Sequence, residues 1–322
     1  MKNILKFKRI IDQELEKISF PLDPSNLYDP LRYILALESK RMRSIALLLS
    51  HQLYNKDFQP AITAALSIEL FHNFTLIHDD IMDKALLRRG SQTVHEKWDN
   101  NIAILSGDTL LVNSYSLISS LDKVIMSDVL DVFSKTAILV CEGQQLDMDF
   151  EQQEDVAIQD YLEMIEKKTS VLLAASFQIG ALIGGAVKLD QKLLYDFGIN
   201  LGMAFQLQDD LLDLYGDSNK FGKKIGGDII TNKKTYLYLK SLSLADSKQK
   251  EELVDLYSNS IISEEEKVAC VRIIFDQLDI FDITKNEIGN YHAEAIACLN
   301  MLSINKKDHL NHFADILLKR EV

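Results

Sequence analysis

Proline is confined to the start of this chain, and its distribution limits the possible fold more than any other feature. All four prolines, Pro21, Pro24, Pro30 and Pro60, lie within the first 60 of 322 residues. Beyond them the sequence shows no sustained alternation of apolar and polar residues of the kind that builds half-buried strands. Because proline interrupts helices, its absence here predicts long helices and an all-α protein.

The apolar content is sufficient for one large helical bundle. Hydrophobic residues make up 47% of the sequence, which is ample for a core and excludes general disorder. The length would also accommodate two average domains. The sequence contains no linker, repeat array or low-complexity segment, so we predict a single domain over residues 1–322.

Apolar periodicity and stop signals predict the individual helices. We expect an opening helix over about residues 3–18, then a helix that starts near Leu31 and carries the basic segment Lys40–Arg43. A long helix over about residues 61–87 should end at Arg88, Arg89 and Gly90. Further helices are predicted at about 99–120, 124–150, 158–185, 190–215, 232–244 and through 248–320, with a flexible basic loop at Gly216–Gly227.

Charge and cysteine content exclude several classes of partner. The net charge of −13 argues against nucleic acid or an anionic membrane as the main partner. Three isolated cysteines, Cys141, Cys270 and Cys298, favour a reducing compartment. The stretch Val171–Val187 comes nearest to a membrane span, but it is short and contains three glycines, so we predict a buried core helix. We therefore expect a cytoplasmic protein without stable membrane insertion.

Two aspartate clusters with the same D-D-x-x-D spacing lie inside long apolar stretches, at Asp79–Asp83 and Asp209–Asp213. Helical periodicity places the three carboxylates of each cluster along one face. Like charges so placed destabilise a helix, and carboxylates near an apolar core are costly unless neutralised. One cluster could be a solvated acidic face, but two favour facing carboxylate patches that share metal ions. Their carboxylates belong to Asp79, Asp80, Asp83, Asp209, Asp210 and Asp213.

The ligand chemistry of these clusters points to a phosphate-bearing substrate. Oxygen ligands without a cysteine or histidine set favour Mg²⁺, which usually shares its coordination shell with substrate phosphates. Basic residues recur along this acidic chain; each pair alone is typical of a solvated surface, but together they indicate phosphate ligands. They are Lys40, Arg41, Arg43, Arg88, Arg89, Lys167, Lys168, Lys223, Lys224, Lys233 and Lys234.

Two further polar residues have the spacing to face the same cavity. His72 lies about 20° from Asp79 on a helical wheel and could donate to a phosphate, although on this spacing alone an ordinary core or surface histidine is the better explanation. Gln206 precedes Asp209 by one helical turn and, taken alone, indicates little.

Sequence blocks around both clusters match the motif pattern of a known family. Leu76–Asp83 (LIHDDIMD) with Arg88–Gly90, and Phe205–Asp213 (FQLQDDLLD), are the two specific blocks. Weaker blocks are Lys40–Arg43 (KRMR), Gly143–Asp147 (GQQLD), Lys168-Thr169 and Gly222–Asp228 (GKKIGGD). In this order they resemble the trans-isoprenyl diphosphate synthases, also called polyprenyl synthetases. Two positions depart from the family pattern: Glu38-Ser39 replaces the usual glycines, and Ser44 stands where proline is common.

The resemblance implies an all-α bundle around a deep central cavity, usually homodimeric. It implies head-to-tail condensation of isopentenyl diphosphate with an allylic diphosphate (dimethylallyl, geranyl or farnesyl). It also implies three Mg²⁺ ions, held on the allylic diphosphate by the six clustered aspartates. That same diphosphate would contact Arg88, Lys168, Lys223 and Lys233, and isopentenyl diphosphate would contact Lys40, Arg43, His72 and Arg89. Thr169 and Gln206 would face the developing carbocation.

Product length should depend on the helix that carries the first cluster. At the α-helical rise, Thr75, Phe74 and Phe71 lie about 6, 7.5 and 12 Å below Asp79. The helical wheel favours Thr75 over Phe74, whereas the resemblance assigns the cavity floor to Phe74, as in short-chain enzymes. The alternative for Phe74 is plain core packing. We expect C15 to C20 products, and sequence alone leaves the product length and the allylic primer open.

Other functions remain as alternatives. A longer-chain synthase is the nearest, followed by a class I terpene cyclase or a squalene/phytoene-synthase-like enzyme. A cyclase needs no isopentenyl diphosphate site and usually carries a different second motif, so the second D-D-x-x-D and Lys40–Arg43 count against it. A non-catalytic partner subunit or an acidic scaffold would be expected to have degraded aspartate motifs, and both are intact.

Overall fold

The structure, a computed structural model, describes residues 2–153, 155–216, 225–258, 262–304 and 307–319. Helices dominate these residues, which confirms the predicted all-α class. They are α1 (Lys2–Glu16), α2 (Ser25–Ala36), α3 (Met42–Tyr54), α4 (Gln59–Met82), α5 (Val94–Lys97), α6 (Asn100–Ser119), α7 (Lys123–Gln152), α8 (Ile158–Ile165), α9 (Val171–Gly184), α10 (Lys188–Tyr215), α11 (Gly227–Ile230), α12 (Tyr236–Leu244), α13 (Ser247–Ser258), α14 (Glu264–Gln277), α15 (Ile280–Met301) and α16 (Asp308–Leu318). Two short strands, β1 (Leu87–Arg88) and β2 (Ser91–Gln92), pair antiparallel.

The chain groups into two compact units. Unit 1 comprises Met1–Thr136, Leu173–Tyr195 and Met301–Phe313, and unit 2 comprises Ala137–Leu172, Asp196–Asn300 and Ala314–Val322. This grouping does not test whether the units form one domain, so the single-domain assignment stays a prediction.

The start of the chain differs from the predicted helix boundaries. The helix expected from Leu31 begins at Ser25, has Pro30 inside it and ends at Ala36. A separate helix, α3, begins at Met42 after Arg41, whose backbone is left-handed with φ 52°. The basic segment Lys40–Arg43 therefore crosses a helix start, because tertiary contacts of Arg41 hold a turn that local sequence does not specify.

The long helix predicted over residues 61–87 ends earlier, at Met82, with Asp83 as its C-cap. The chain then forms the β1–β2 hairpin, in which Arg89 (φ 55°) and Gly90 (φ 73°) occupy the turn. Positive φ at both central positions is typical of the type I′ turn that fits the twist of paired strands. Gly90 therefore makes a hairpin turn and does not terminate α4.

The helix predicted over residues 158–185 is interrupted by a π-helical turn, Glu166–Ser170, between α8 and α9. Two glycines allow close approach to this turn: a Cβ on Gly143 would clash with the backbone nitrogen of Lys168, and one on Gly202 would lie 2.6 Å from the Cα of Ser170. The helix predicted over 232–244 begins later, at Tyr236 (α12), and a separate short helix, α11, precedes it at Gly227–Ile230. Most of the predicted basic loop lies outside the described residues.

The core of unit 1 is built around α4, which packs against α1, α2, α3 and α6. Helix α9 packs closely on α3, because a Cβ on Gly180 would clash with the carbonyl oxygen of Leu47. This contact confirms that the small residues of Val171–Val187 serve close packing in a buried helix. Helices α4 and α6 have the length and apolar composition to cross a membrane. Within the protein, 72% of the apolar 18-residue stretch of α4 is buried, and 33% of that of α6.

The core of unit 2 collects apolar side chains from α8, α10, α12, α13, α14 and α15. Leu207, Leu253, Val271 and Ile280 are its most completely buried members. Tyr161 of α8 also belongs to this cluster, although its hydroxyl group donates a hydrogen bond to Asp210 of the second aspartate motif.

Candidate active site

The first aspartate cluster lies at the end of α4, where the β1–β2 hairpin returns Arg88 to it. Arg88 donates to Oδ1 of Asp80 from Nε at 2.7 Å and from Nη2 at 2.6 Å, and Nη2 lies 3.7 Å from Oδ2 of Asp79. Burial raises the pKa of Asp80, and Arg88 opposes this rise. Oδ2 of Asp80 is buried without a hydrogen-bond partner among the described residues, so this oxygen is available to a cation. Asp83 is exposed at the end of the helix.

Positive charge gathers around His72 on the same helix. Arg43 of α3 donates from Nη1 to Nε2 of His72 at 3.1 Å, which places the ring proton on Nδ1. Burial, followed by the charges of Arg43, Arg89 and Arg88, lowers the pKa of His72 well below its usual value. The ring is therefore neutral near neutral pH. Of the residues that the resemblance assigns to isopentenyl diphosphate, Arg43, His72 and Arg89 thus lie in one electrostatic neighbourhood, and Lys40 is exposed just before Arg41.

Arg41 is a structural residue whose role the sequence did not reveal. Its Nε lies 3.0 Å from Oδ1 of Asp12, its Nη1 lies 2.8 Å from Oε1 of Glu69, and its Nη2 donates to the carbonyl oxygen of Leu35. Ser44 donates to Oε2 of Glu69 at 2.9 Å, so the unusual serine completes this network. The network holds the turn between Lys40 and Arg43.

Two of the three residues expected to set product length, Phe71 and Phe74, belong to a row of aromatic rings. The ring of Phe74 lies 5.5 Å from that of Phe71 and 4.8 Å from that of His78, and Phe71 lies 5.2 Å from Phe133. Phe71 and Phe74 are both buried, whereas Thr75 is half-buried and donates to the carbonyl oxygen of His72. Thr75 is therefore the more accessible side chain, and Phe74 is held by its aromatic neighbours; which of them limits product length stays a prediction.

The second aspartate cluster lies in α10, and hydrogen bonds connect it to Tyr161 of α8 and, through Gln206, to the π-helical turn. Oδ2 of Asp210 accepts from the hydroxyl of Tyr161 at 2.5 Å, and Oδ1 accepts from Nε2 of Gln206 at 3.2 Å. Thr169 donates to Oε1 of Gln206 at 3.1 Å. Burial and the charge of Asp228 raise the pKa of Asp210 to about 7, against the effect of its two hydrogen bonds.

A lysine pair converges on Asp147 of α7. Lys168 lies 2.6 Å and Lys233 lies 3.3 Å from Oδ2 of Asp147. Burial alone would raise the pKa of Asp147, but Lys233 and Lys168 outweigh burial and lower it. Asp147 therefore brings together two lysines from distant segments, which sequence spacing could not show.

The last aspartate of the second cluster supports the backbone beyond it. Oδ2 of Asp213 accepts from the backbone nitrogen of Asp228 at 3.0 Å. The backbone carbonyl oxygen of Asp213 accepts from the backbone nitrogen of Gly226 at 2.8 Å. Asp213 thus anchors the start of α11, which shortly precedes Lys233. Lys223, also expected in this neighbourhood, lies outside the described residues.

The structure therefore brings the expected residues together within each unit. Asp79, Asp80, Arg88, Arg43 and His72 belong to the unit 1 group, and Lys168, Thr169, Gln206, Asp210 and Lys233 belong to the unit 2 group. Among the described residues, no three carboxylate, imidazole or thiol groups are arranged to hold a metal ion by themselves. A metal at these aspartates would need ligands from water or substrate, as Mg²⁺ normally has.

Comparisons with known proteins identify the family. The family model described as "Polyprenyl synthetase" matches residues 24–274. The geranylgeranyl diphosphate synthase of Sulfolobus acidocaldarius is 37% identical over 306 residues, covering 92% of both chains. The geranylfarnesyl diphosphate synthase of Natronomonas pharaonis is 40% identical over 235 residues, covering 67% of this chain and 69% of its own. A crystal structure of a geranylgeranyl pyrophosphate synthase matches with a TM-score of 0.94 at 44% identity, covering 99% of each chain. The chain belongs to the polyprenyl synthetase family.

Proposed function

We propose that the protein is a Mg²⁺-dependent prenyltransferase that condenses isopentenyl diphosphate head-to-tail with an allylic diphosphate. The expected product is an all-trans prenyl diphosphate of C15–C20, with C20 favoured. Family membership supports the reaction class. The observation that carries the proposal for this chain is the arrangement at Asp80, where one oxygen is held by Arg88 and the other is buried without a partner among the described residues.

This arrangement fits a divalent cation bound with a diphosphate. The donor set of the cluster consists of carboxylate oxygens, which Mg²⁺ prefers. Bound Mg²⁺, three ions in the proposed complex, would neutralise the diphosphate leaving group as the allylic C–O bond breaks. We propose that the six clustered aspartates all serve the same diphosphate.

The cationic residues divide between the two substrates in this proposal. Arg88, Lys168, Lys223 and Lys233 bind the allylic diphosphate, and Lys40, Arg43, His72 and Arg89 bind isopentenyl diphosphate. Arginine can bind phosphate oxygens through two parallel hydrogen bonds, whereas lysine supplies a compact charge. Neutral His72 donates through Nδ1, because its Nε2 already accepts from Arg43. Thr169 and Gln206 present oxygen dipoles to the allylic cation, and the surrounding apolar side chains exclude water.

The protein should act as a homodimer in the cytoplasm. Helix α6 exposes Ile104, Leu105 and Val112, an apolar face that a second copy of the chain would cover. The three cysteines, all within the described part of the chain, form no disulfide, which suits a reducing compartment. Light scattering on the purified protein should give twice the mass of one chain. Leu105→Lys together with Val112→Lys should shift it to a monomer, and a wild-type monomer would contradict the assignment.

The assay for the proposed activity uses the purified protein with Mg²⁺, isopentenyl diphosphate and each of three primers: dimethylallyl, geranyl and farnesyl diphosphate. We expect release of diphosphate only when both substrates are present, loss of turnover with EDTA and its return with excess Mg²⁺. Mass spectrometry identifies the product. Turnover of geranylgeranyl diphosphate alone into a hydrocarbon would instead show a terpene cyclase, and a C25 or longer product would show a longer-chain synthase such as the Natronomonas relative.

A further inference from the structure

Tyr161 has no place in the sequence motifs, yet it makes the shortest hydrogen bond described for the second aspartate cluster. Its side chain is 2% exposed, and its hydroxyl lies 2.5 Å from Oδ2 of Asp210. A phenol hydroxyl is protonated near neutral pH, so Tyr161 acts as the donor to the carboxylate.

The hydrogen bond of Tyr161 is the first of three that lead to the proposed cation-facing groups. Asp210 accepts from Nε2 of Gln206 at 3.2 Å through its other oxygen, and Oε1 of Gln206 accepts from Thr169 at 3.1 Å. An ionised carboxylate only accepts, so it must face the amide nitrogen, whereas a hydroxyl can donate or accept. Asp210 therefore determines the orientation of the Gln206 carboxamide, and Thr169 adjusts to it by donating to the amide oxygen.

The far end of this hydrogen-bonded series is held by the backbone. Thr169 belongs to the π-helical turn Glu166–Ser170, a type of insertion that is frequent at functional sites. Gly143 and Gly202 allow α7 and α10 to approach the backbone of this turn so closely that a Cβ at either position would clash. The position of Thr169 is thus fixed by main-chain packing, and the position of Gln206 depends on Asp210 and its donor, Tyr161.

We propose that Tyr161 is a positioning residue for the condensation, because it fixes Asp210 and, through Asp210, the carboxamide that Gln206 presents with Thr169 to the allylic cation. The inference rests on the proposed function, since it assumes that Gln206 and Thr169 act on that cation. Tyr161 does not touch substrate. Each oxygen of Asp210 retains a second lone pair, so positioning by Tyr161 is compatible with a cation bound to the same carboxylate.

Tyr161→Phe tests this role because it removes the hydroxyl and keeps the buried ring. We expect kcat to fall about tenfold or more, with the KM of each substrate changed less than about twofold, since a transition-state dipole is misplaced and ground-state binding is not. Tyr54→Phe is the matched control, because Tyr54 also donates to a buried aspartate, Asp190, at 3.0 Å. Tyr54→Phe should leave kcat unchanged. Thermal unfolding identifies the variants that are folded.

A double-mutant cycle separates positioning from a general effect on stability. In a Gln206→Ala background, Tyr161→Phe should lower kcat less than about twofold, because the group that it positions has been removed. Thr169→Val changes the other end of the series. By itself it should lower kcat, and in the Gln206→Ala background it should lower kcat little further. This comparison keeps the test decisive if Tyr161→Phe does not fold. Wild-type kcat in folded Tyr161→Phe, or fully multiplicative losses, would overturn the inference. An inactive wild-type protein would instead overturn the proposed function.

Discussion

The guanidinium of Arg41 and the carboxylate of Glu69 form a buried ion pair, with Nη1 of Arg41 2.8 Å from Oε1 of Glu69 and side-chain exposures of 4% and 1%. Asp12, the carbonyl oxygen of Leu35 and Ser44 complete the surrounding hydrogen bonds. This pair joins α4 to the turn at which α3 begins. It therefore connects the helix of the first aspartate cluster to the segment that carries Lys40 and Arg43.

Breaking this ion pair should be strongly destabilising. Arg41→Met leaves the carboxylate of Glu69 buried without its main partner, and such a loss costs about 3–5 kcal/mol. Urea unfolding measures the change. Lys135→Met is the control, because the pair between Lys135 and Asp131 is exposed and should contribute less than about 1 kcal/mol. Equal effects of the two substitutions would show that burial of the Arg41 pair has no energetic consequence.

The two aspartate clusters should behave as one catalytic unit. Asp79→Ala and Asp209→Ala are each expected to lower kcat by about a thousandfold or more, because both remove charge from the same metal–diphosphate assembly. The double variant should lose far less than the product of the two effects. The control is Asp108→Ala, which removes an exposed aspartate of α6. A near wild-type rate for either single variant at saturating Mg²⁺ would contradict the shared assembly.

The two diphosphate sites should separate kinetically. Lys40→Ala and Arg43→Ala should mainly raise the KM for isopentenyl diphosphate, whereas Lys223→Ala and Lys233→Ala should act on the allylic substrate. Each change removes a positive charge from one diphosphate and leaves the other with its ligands. Steady-state kinetics with each substrate varied in turn provides the measurement. If Lys40→Ala weakened only the allylic substrate, the assignment of the two sites would be wrong.

The aromatic row on α4 should limit product length. Phe74→Ala should give longer products, and more so with Phe71→Ala, because both rings occupy the level below Asp79 that a growing chain would reach. Opening this buried row costs about 3–5 kcal/mol for each phenylalanine, so folded protein must be verified first. The product distribution by mass spectrometry is the measurement, with Phe133→Leu as a comparison in which a neighbour of Phe71 is trimmed. An unchanged product in folded Phe74→Ala would make Phe74 core packing and move the floor elsewhere.

The pairing of Asp147 with two lysines predicts how its contribution to stability depends on pH. Its pKa is lowered in the folded protein, so the ionised carboxylate stabilises the fold above the unfolded-state pKa of about 3.9. This stabilisation is lost as pH falls through the lower folded-state value. Asp147→Asn should therefore destabilise the protein by a constant amount above about pH 5 and by less below about pH 4. Urea unfolding across this range tests it, and a penalty that grows in acid would contradict the shift.

Local sequence determined most of the secondary structure and the alignment of the carboxylates within each aspartate cluster. The absence of proline beyond Pro60 allowed long helices, and the spacing within Asp79–Asp83 and Asp209–Asp213 placed carboxylates along helix faces. These features depend on neighbours within one or two turns, which the sequence displays directly. The predicted helix ends were less accurate. For example, Arg89-Gly90 was interpreted as the stop signal of a helix, but it forms the turn of a hairpin.

Tertiary structure alone decided which distant residues meet. In the sequence, Arg41 resembles any other basic residue of its segment, and only the folded structure places Asp12 and Glu69 around it. Tyr161 belongs to no recognised motif, and only the folded structure brings its hydroxyl to Asp210. The π-helical turn at Thr169 likewise depends on the glycines of two other helices. Such contacts join positions separated by tens of residues, and their energies come from burial and from hydrogen bonds that exist only after packing. The sequence determined which groups were available for catalysis, and the packing of the helices determined how each is held.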